Sequence, residues 1–190
     1  MSKNIMIKDA RCSFPQLWHA DKKDDGENFG MGITLILQPA EHGALITEIK
    51  SAIKEVIKES DILRKSPPSG DRLCLRGEGG AGWREEYGEG SLILKAGCAR
   101  TPVVLFPDMS RAREEDDPIY SGCRVNVKVN IWAQANKYGK RVNAKLLAIQ
   151  FNRDDESFDG SFVSESEALE GFGSLEDSAA GDFESDDFLN

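Results

Sequence analysis

The chain has no run of about 18 apolar residues, the least that would cross a bilayer core as a helix. Its first residues, Met1-Ser2-Lys3-Asn4-Ile5, lack the apolar stretch of an export signal, so a cytoplasmic protein with no membrane partner is expected. Histidine is scarce, with only His19 and His42, and Cys12, Cys74, Cys98 and Cys123 form no closely spaced pair. Structural zinc draws its ligands from such pairs, so no metal and no cofactor is expected. Without export, the cysteines are read as reduced, small buried residues. No Gly-Lys-Ser/Thr follows the glycines of residues 77–90, so a phosphate-cradling P-loop is a poor match. Ser-His-Asp and Cys-His patterns are missing as well. The acids Glu114 to Asp117 are consecutive, point in different directions and read as a solvated loop. An enzyme is not expected.

Basic residues are missing from one end of the chain. Residues 154–190 contain no Lys, Arg or Pro but 13 of the 33 acids. The remaining 20 acids face all 24 bases in residues 1–153, a net of +4, so the overall charge of −9 belongs to the tail. Such asymmetry points to nucleic-acid or protein partners. With 39% hydrophobic residues, the chain can bury one core. The division expected is a binding domain over 1–153 and a disordered acidic tail over 154–190. The tail's isolated phenylalanines bury too little to offset ordering entropy and self-repulsion.

The body reads as mainly β. Strands are expected over 5–14, 29–37, 91–99, 124–132 and 140–151, with a short extended run at 103–106. Loops are expected at 19–28, 77–90 and 108–118. Ala44, Leu45, Ile49, Ala52, Ile53, Val56 and Ile57 recur at helical spacing and predict one helix over 41–59, broken by Ser66-Pro67-Pro68-Ser69-Gly70. One helix among about five strands, without β–α alternation, favours a small barrel or α+β fold.

The alternation over 124–151 is strict. Val125, Val127, Val129 and Ile131 share one face, while Arg124, Asn126, Lys128, Asn130 and Trp132 share the other. Next, Val142, Ala144, Leu146 and Ala148 oppose Arg141, Asn143 and Lys145. A hairpin of this kind covers a core and presents a basic, amide-rich outer face. Binding a nucleic-acid single strand needs cations along the backbone path and rings for base stacking. The candidate contacts are Arg124, Asn126, Lys128, Trp132, Tyr138, Lys140, Arg141 and Lys145 on the hairpin. Arg76, Trp83, Arg84 and Tyr87 in the glycine-rich loop, Lys95 on the third strand, and Arg11 and Trp18 around the first complete the set. The rings of Phe14-Pro15-Gln16-Leu17-Trp18-His19, just past a strand end, could also stack on bases; the plainer reading makes Phe14 and Leu17 core, and it is the one favoured for Phe14. On the hairpin alone, a solvated sheet face with a half-buried Trp explains the same pattern.

The runs Pro118-Ile119-Tyr120-Ser121-Gly122-Cys123-Arg124-Val125-Asn126-Val127, Ile131-Trp132-Ala133, Asn143-Ala144 and Leu147-Ala148-Ile149-Gln150-Phe151 resemble a family of bacteriophage single-stranded-DNA-binding proteins. That resemblance covers residues 1 to about 153. It implies an OB-fold-like five-stranded barrel and a protein that coats single strands in phage replication or recombination, in the cytoplasm of the infected host. The acidic tail resembles those of replication single-strand binders, which recruit replication or recombination proteins and compete with DNA for the groove. Asp186, Asp187, Phe188 and Leu189 are the residues expected to meet such a partner, although Phe188 is followed by Leu189 and Asn190 instead of closing the chain. A homo-oligomer is compatible with the sequence. The alternative is an interaction adaptor or DNA mimic that acts through the tail.

Overall fold

The computed structural model describes residues 2–22 and 28–158, together with Leu169 and Gly171. The expected tail disorder and the proposed tail contacts Asp186, Asp187, Phe188 and Leu189 lie outside the described residues.

The strands are β1 (Ser2–Gln16), β2 (Asp21–Lys22), β3 (Asn28–Phe29), β4 (Met31–Leu37), β5 (Leu75–Arg76), β6 (Leu92–Cys98), β7 (Val103–Leu105), β8 (Arg124–Asn136) and β9 (Gly139–Arg153). Helix α1 (Pro39–Glu59) follows β4, and a short α2 (Asp61–Lys65) follows α1. The main sheet has the order β5-β6-β4-β1-β8-β9-β7. A parallel pairing of β6 with β9, at Ala96↔Ala144 and Gly97↔Lys145, joins five of these strands into a closed ring. The small side chains of Ala96, Gly97 and Ala144 let the two strands meet there. The pair β2–β3 is a separate small ribbon in the expected loop over 19–28.

Alternation builds the ring. Val125, Val127, Val129 and Ile131 are fully buried, while Lys128 and Trp132 point out. On β9 the inward set is Val142, Ala144, Leu146 and Ile149. Lys128 pairs with Ala148 but Val129 with Leu146, so Leu147 is an extra residue that shifts the phase. Ala148 therefore leaves the buried face that strict alternation gave it.

Helix α1 starts at Pro39, whose fixed φ suits the first helical position. It buries His42, Ile46, Ile49, Ala52, Ile53 and Val56 against β1, β4, β8 and β9. Ala44, expected on this face, is exposed, and His42 and Ile46 take the end of the stripe. The helix stops at Ser60, whose hydroxyl accepts from the Leu63 N–H at 3.3 Å and so starts α2.

Strand β1 is bulged twice. Ile7 pairs with Val127 but Ala10 with Val125, and Ser13 pairs with Thr34 but Gln16 with Gly32. Each bulge holds a residue in the left-handed region, Asp9 at φ 53° and Phe14 at φ 50°. Asp tolerates that conformation; a bulky aromatic residue rarely does.

Candidate nucleic-acid interface

The outward faces of β6, β8 and β9 meet the 70–76 segment around a groove of about 720 Å³. Five cations line it: Arg72, Arg76, Lys95, Arg141 and Lys145. Among the described residues, Asp71 is the one acid in the lining, and its Oδ1 is engaged by the Ala81 N–H at 2.7 Å. Trp132 forms part of the wall and is 36% exposed. Asn130 and Asn143 add amides, and Gly30 and Gly97 leave bare backbone at one end. Excess positive charge, an exposed indole and amides in one groove suit a polyanion that carries flat apolar groups.

The cations differ in availability. Arg76 donates to three carbonyls, Leu73 O at 2.9 Å, Asp71 O at 2.8 Å and Ala81 O at 2.7 Å. It shapes the loop and contributes charge rather than free donors. Burial, and then the nearby Arg76, lower the pKa of Lys95, and no carboxylate among the described residues offsets them. An approaching anion would relieve that repulsion. Arg141 and Lys145 are exposed, with Asn143 between them donating to Gln134 at 2.7 Å. Cys74 and Cys98 also line the groove; burial pushes the Cys74 thiol up to about 11 and raises Cys98 as well. Both are thiols at neutral pH, suited to packing.

Of the residues expected to contact a strand, Arg76, Lys95, Trp132, Arg141 and Lys145 are thus brought together. Tyr138 stands at the hairpin tip, 72% exposed with the Lys137 ammonium 5.0 Å from its ring, and Lys140 is beside it opposite Ala135. Lys128 is exposed farther along β8. Neither group lines the groove. Trp18 is tied to Asp117, its Nε1 donating at 2.9 Å. Trp83 is half-buried against Ile36, Tyr87 and Ile93, and its Nε1 donates to Ser91 Oγ at 2.9 Å. Tyr87 is buried, and its hydroxyl donates to Ser13 at 3.0 Å. These two rings fasten the glycine-rich loop to the outer face of β4 and β6, because each has an apolar body and a satisfied polar tip.

Arg11, Arg124 and Asn126 lie in a different cluster. Arg124 reaches Glu41 and Asp155 at 2.7 Å each and Asp9 at 3.5 Å. Asp9 is also gripped by Arg153 at 2.8 Å and Asn152 at 2.7 Å. Asn126 accepts from the Asp9 N–H and donates to Gln150. The hydrogen bonds from Arg153 hold the Asp9 carboxyl below its usual range, and that from Arg124 does so for Glu41. Burial opposes ionisation of Asp155, but the Arg124 hydrogen bond and neighbouring cations outweigh it. These arginines are engaged by acids that lie far from them in sequence, which alternation could not reveal.

The same cluster holds the chain beyond Arg153. The Tyr120 hydroxyl lies 3.0 Å from Asp154 Oδ1 and 3.0 Å from the Asp155 carbonyl, either of which can take its one proton, and it accepts from the Asp155 N–H at 3.1 Å. The Phe158 N–H donates to Ser121 O, its ring meets Tyr87 edge-on at 5.6 Å, and the Arg11 guanidinium sits 4.1 Å from its centroid. Gly122 makes room for this segment: at φ 112° its missing Cβ would stand 2.2 Å from Glu156 O. Residues 154–158 pack on the body, although their acids had placed them with the tail.

Arg72, Asn130, Asn143 and Phe14 are the surface groups that the candidate set omitted. Asn130 and Asn143 share the outward faces of Trp132 and Arg141, so the alternation did contain them. Arg72 sits in a short 3-10 turn that carries no periodic signal. Phe14, read as core, is 48% exposed because the bulge reverses its side; Leu17 is buried as expected.

Comparison with known proteins gives a consistent set of relatives. A family model described as Enterobacter phage Enc34, ssDNA-binding protein, matches residues 3–184. Protein p50 of Acyrthosiphon pisum secondary endosymbiont phage 1 is 31% identical over 173 residues, covering 87% of this chain and 92% of that protein. The single-stranded DNA-binding protein from bacteriophage Enc34, solved in complex with ssDNA, is similar at a TM-score of 0.72 and 29% identity, over 82% of this chain and 89% of that one. The single-stranded DNA-binding protein encoded by bacteriophage T7 shares the fold at a TM-score of 0.56 and 14% identity, over 86% of this chain and 98% of that one.

Proposed function

This chain belongs to the Enc34 phage ssDNA-binding protein family, and from that premise we propose that it binds single-stranded DNA without sequence preference in the groove between Trp132 and Lys95. The observation that carries this reading is the lining itself: among the described residues, five cations against one engaged acid, with an exposed indole among them. Phosphates are attracted by Lys95, Arg141, Lys145 and Arg72, and a base stacks on Trp132. Arg76 acts through the loop it shapes. Asn130 and Asn143 offer amides to base edges or sugars without selecting one base. Tyr138, Lys140 and Lys128 extend the positive surface along the hairpin for a longer strand. Binding of this kind needs no reaction step, and the role is protection of single strands in phage replication or recombination inside the host.

The five-strand ring supports an OB-like reading, in which ligands cross the curved sheet face and its flanking loops. The domain boundary is best drawn after Phe158, since residues 154–158 are fastened to the body. Beyond it, the acidic tail competes with DNA for the cations and presents Asp186, Asp187, Phe188 and Leu189 to a partner with a basic-rimmed apolar pocket.

The test is titration of oligo-dT into the full chain and into a chain ending at Phe158, read by tryptophan fluorescence at several salt concentrations. Both forms should bind, the shorter one more tightly. Affinity should fall with salt at a log–log slope of about −0.7 per neutralised phosphate. Failure of both forms to bind at low salt would remove the DNA reading and leave the acidic tail as the functional part.

A further inference from the structure

We infer that Phe14 is a second base-stacking platform, which takes a nucleobase of the same DNA strand in a shallow cavity at the far side of Lys95. This rests on the proposed single-strand binding and extends it to a site that alternation had assigned to the core.

Three observations converge on it. First, Phe14 is held at φ 50°, a conformation that a bulky L-residue adopts only at a cost. Its neighbours Ser13 and Leu17 are buried, yet the strained residue turns its ring outward, 48% exposed. A core role would need neither the strain nor the exposure. Second, the ring borders a cavity of about 280 Å³ whose floor is bare backbone at Gly30, Gly32 and Gly97. A Cβ at Gly32 would stand 2.6 Å from Ala96 O, so that stretch of floor cannot carry a side chain. A flat, open pocket of this size is small for a drug-like ligand and suits a single ring laid against the peptide planes. Third, Lys95, Gly30 and Gly97 line both this cavity and the main groove. A strand leaving Trp132 therefore passes Lys95 before it reaches Phe14. Lys95 lacks a carboxylate partner among the described residues and stands between the two rings, where the linking phosphates would run.

Arg84 completes the arrangement. Its guanidinium carbon lies 4.2 Å from the Phe14 centroid, which steadies the ring and adds a cation beside the cavity. Arg84 was a candidate contact on its position in the glycine-rich loop; here its place is at Phe14.

Oligo-dT titration of the full-length protein and of Phe14→Leu, Phe14→Tyr and Phe14→Gly tests this, with thermal melting alongside. Leu keeps apolar bulk but has no π-face, Tyr keeps the π-face, and Gly removes both ring and backbone strain. Phe14→Leu and Phe14→Gly should bind long oligomers at least about fivefold more weakly. Phe14→Tyr should stay within about twofold of the native protein. The loss should vanish on oligomers too short to reach both rings, which Trp132→Ala should still weaken. Phe14→Gly should melt no lower than the native protein. Native binding of long oligomers by Phe14→Leu, or equal losses on all lengths, would overturn the second platform while leaving the groove intact. A native protein that binds no oligomer overturns the parent reading instead.

Discussion

At the scale of single residues, the useful distinction is between rings that fasten and rings that are free. Trp83 and Trp132 look alike in the sequence, each near glycines or cations. Trp83 spends its N–H on Ser91 and its body on Tyr87 and Ile93, whereas Trp132 faces the groove. Trp132→Ala should weaken oligo-dT binding by about 1–3 kcal/mol and leave the melting temperature nearly unchanged. Trp83→Ala should do the reverse, costing on the order of 2–3 kcal/mol in urea unfolding with a small effect on affinity. A binding loss at Trp83 with unchanged stability would put its ring on the DNA. Alternation reported Trp132 because side-chain direction on a regular strand follows from position alone. It could not report Trp83, whose loop takes its course from distant contacts. Phe14 failed for a related reason: the extra residue of a bulge changes the face, and nothing in Ser13-Phe14-Pro15 announces which residue is extra.

At the scale of elements, the Asp9–Arg124–Asp155 cluster joins β1, α1, β8 and the segment after β9. Asp9, Glu41 and Asp155 all have carboxyl pKa values lowered in the folded protein. A lowered carboxylate pKa stabilises the fold above its unfolded value, about 4, and the contribution is lost as pH falls through the folded value. Melting temperature should therefore be level from neutral pH to about 5 and drop below about 4. Arg124→Gln should be less stable at neutral pH, by on the order of 2 kcal/mol, melt at a lower temperature, and show a shallower acid drop. An unchanged acid profile in that variant would assign the drop to other carboxylates. Arg11→Ala should free Phe158 from its cation and expose the 154–158 segment to protease, with cleavage just after Arg153 or Phe158 as the readout. Arg11 and Arg124 read as unpaired cations because a sequence shows a cation without its partner. Arg124 and its partner Asp155 are 31 positions apart, and Arg11 and Glu156 are 145 apart.

At the scale of the whole molecule, charge is divided between a body that gathers cations around one groove and a tail that gathers acids. A chain ending at Arg153 should be less stable than one ending at Phe158, because it loses the contacts of Asp155 and Phe158 with Arg124, Arg11 and Tyr87. Comparing the two by thermal melting checks where the body ends; equal stability would return the boundary to Arg153. Much of this architecture was legible beforehand. The strict period of two over 124–151 determined a hairpin with one apolar and one basic face. The helical spacing after Pro39 determined α1, and the absence of bases after Arg153 determined the acidic segment, all without tertiary information. These are local properties, since period, propensity and charge are carried by neighbours in the chain. Only the folded structure decided which cations are free, which rings face solvent and how residues 154–158 pack on the body. Those depend on pairings between residues 31 to 145 positions apart, such as Arg124 with Asp155 and Arg11 with Glu156, and on bulges that shift a strand by one residue. Neither leaves a periodic mark in the sequence.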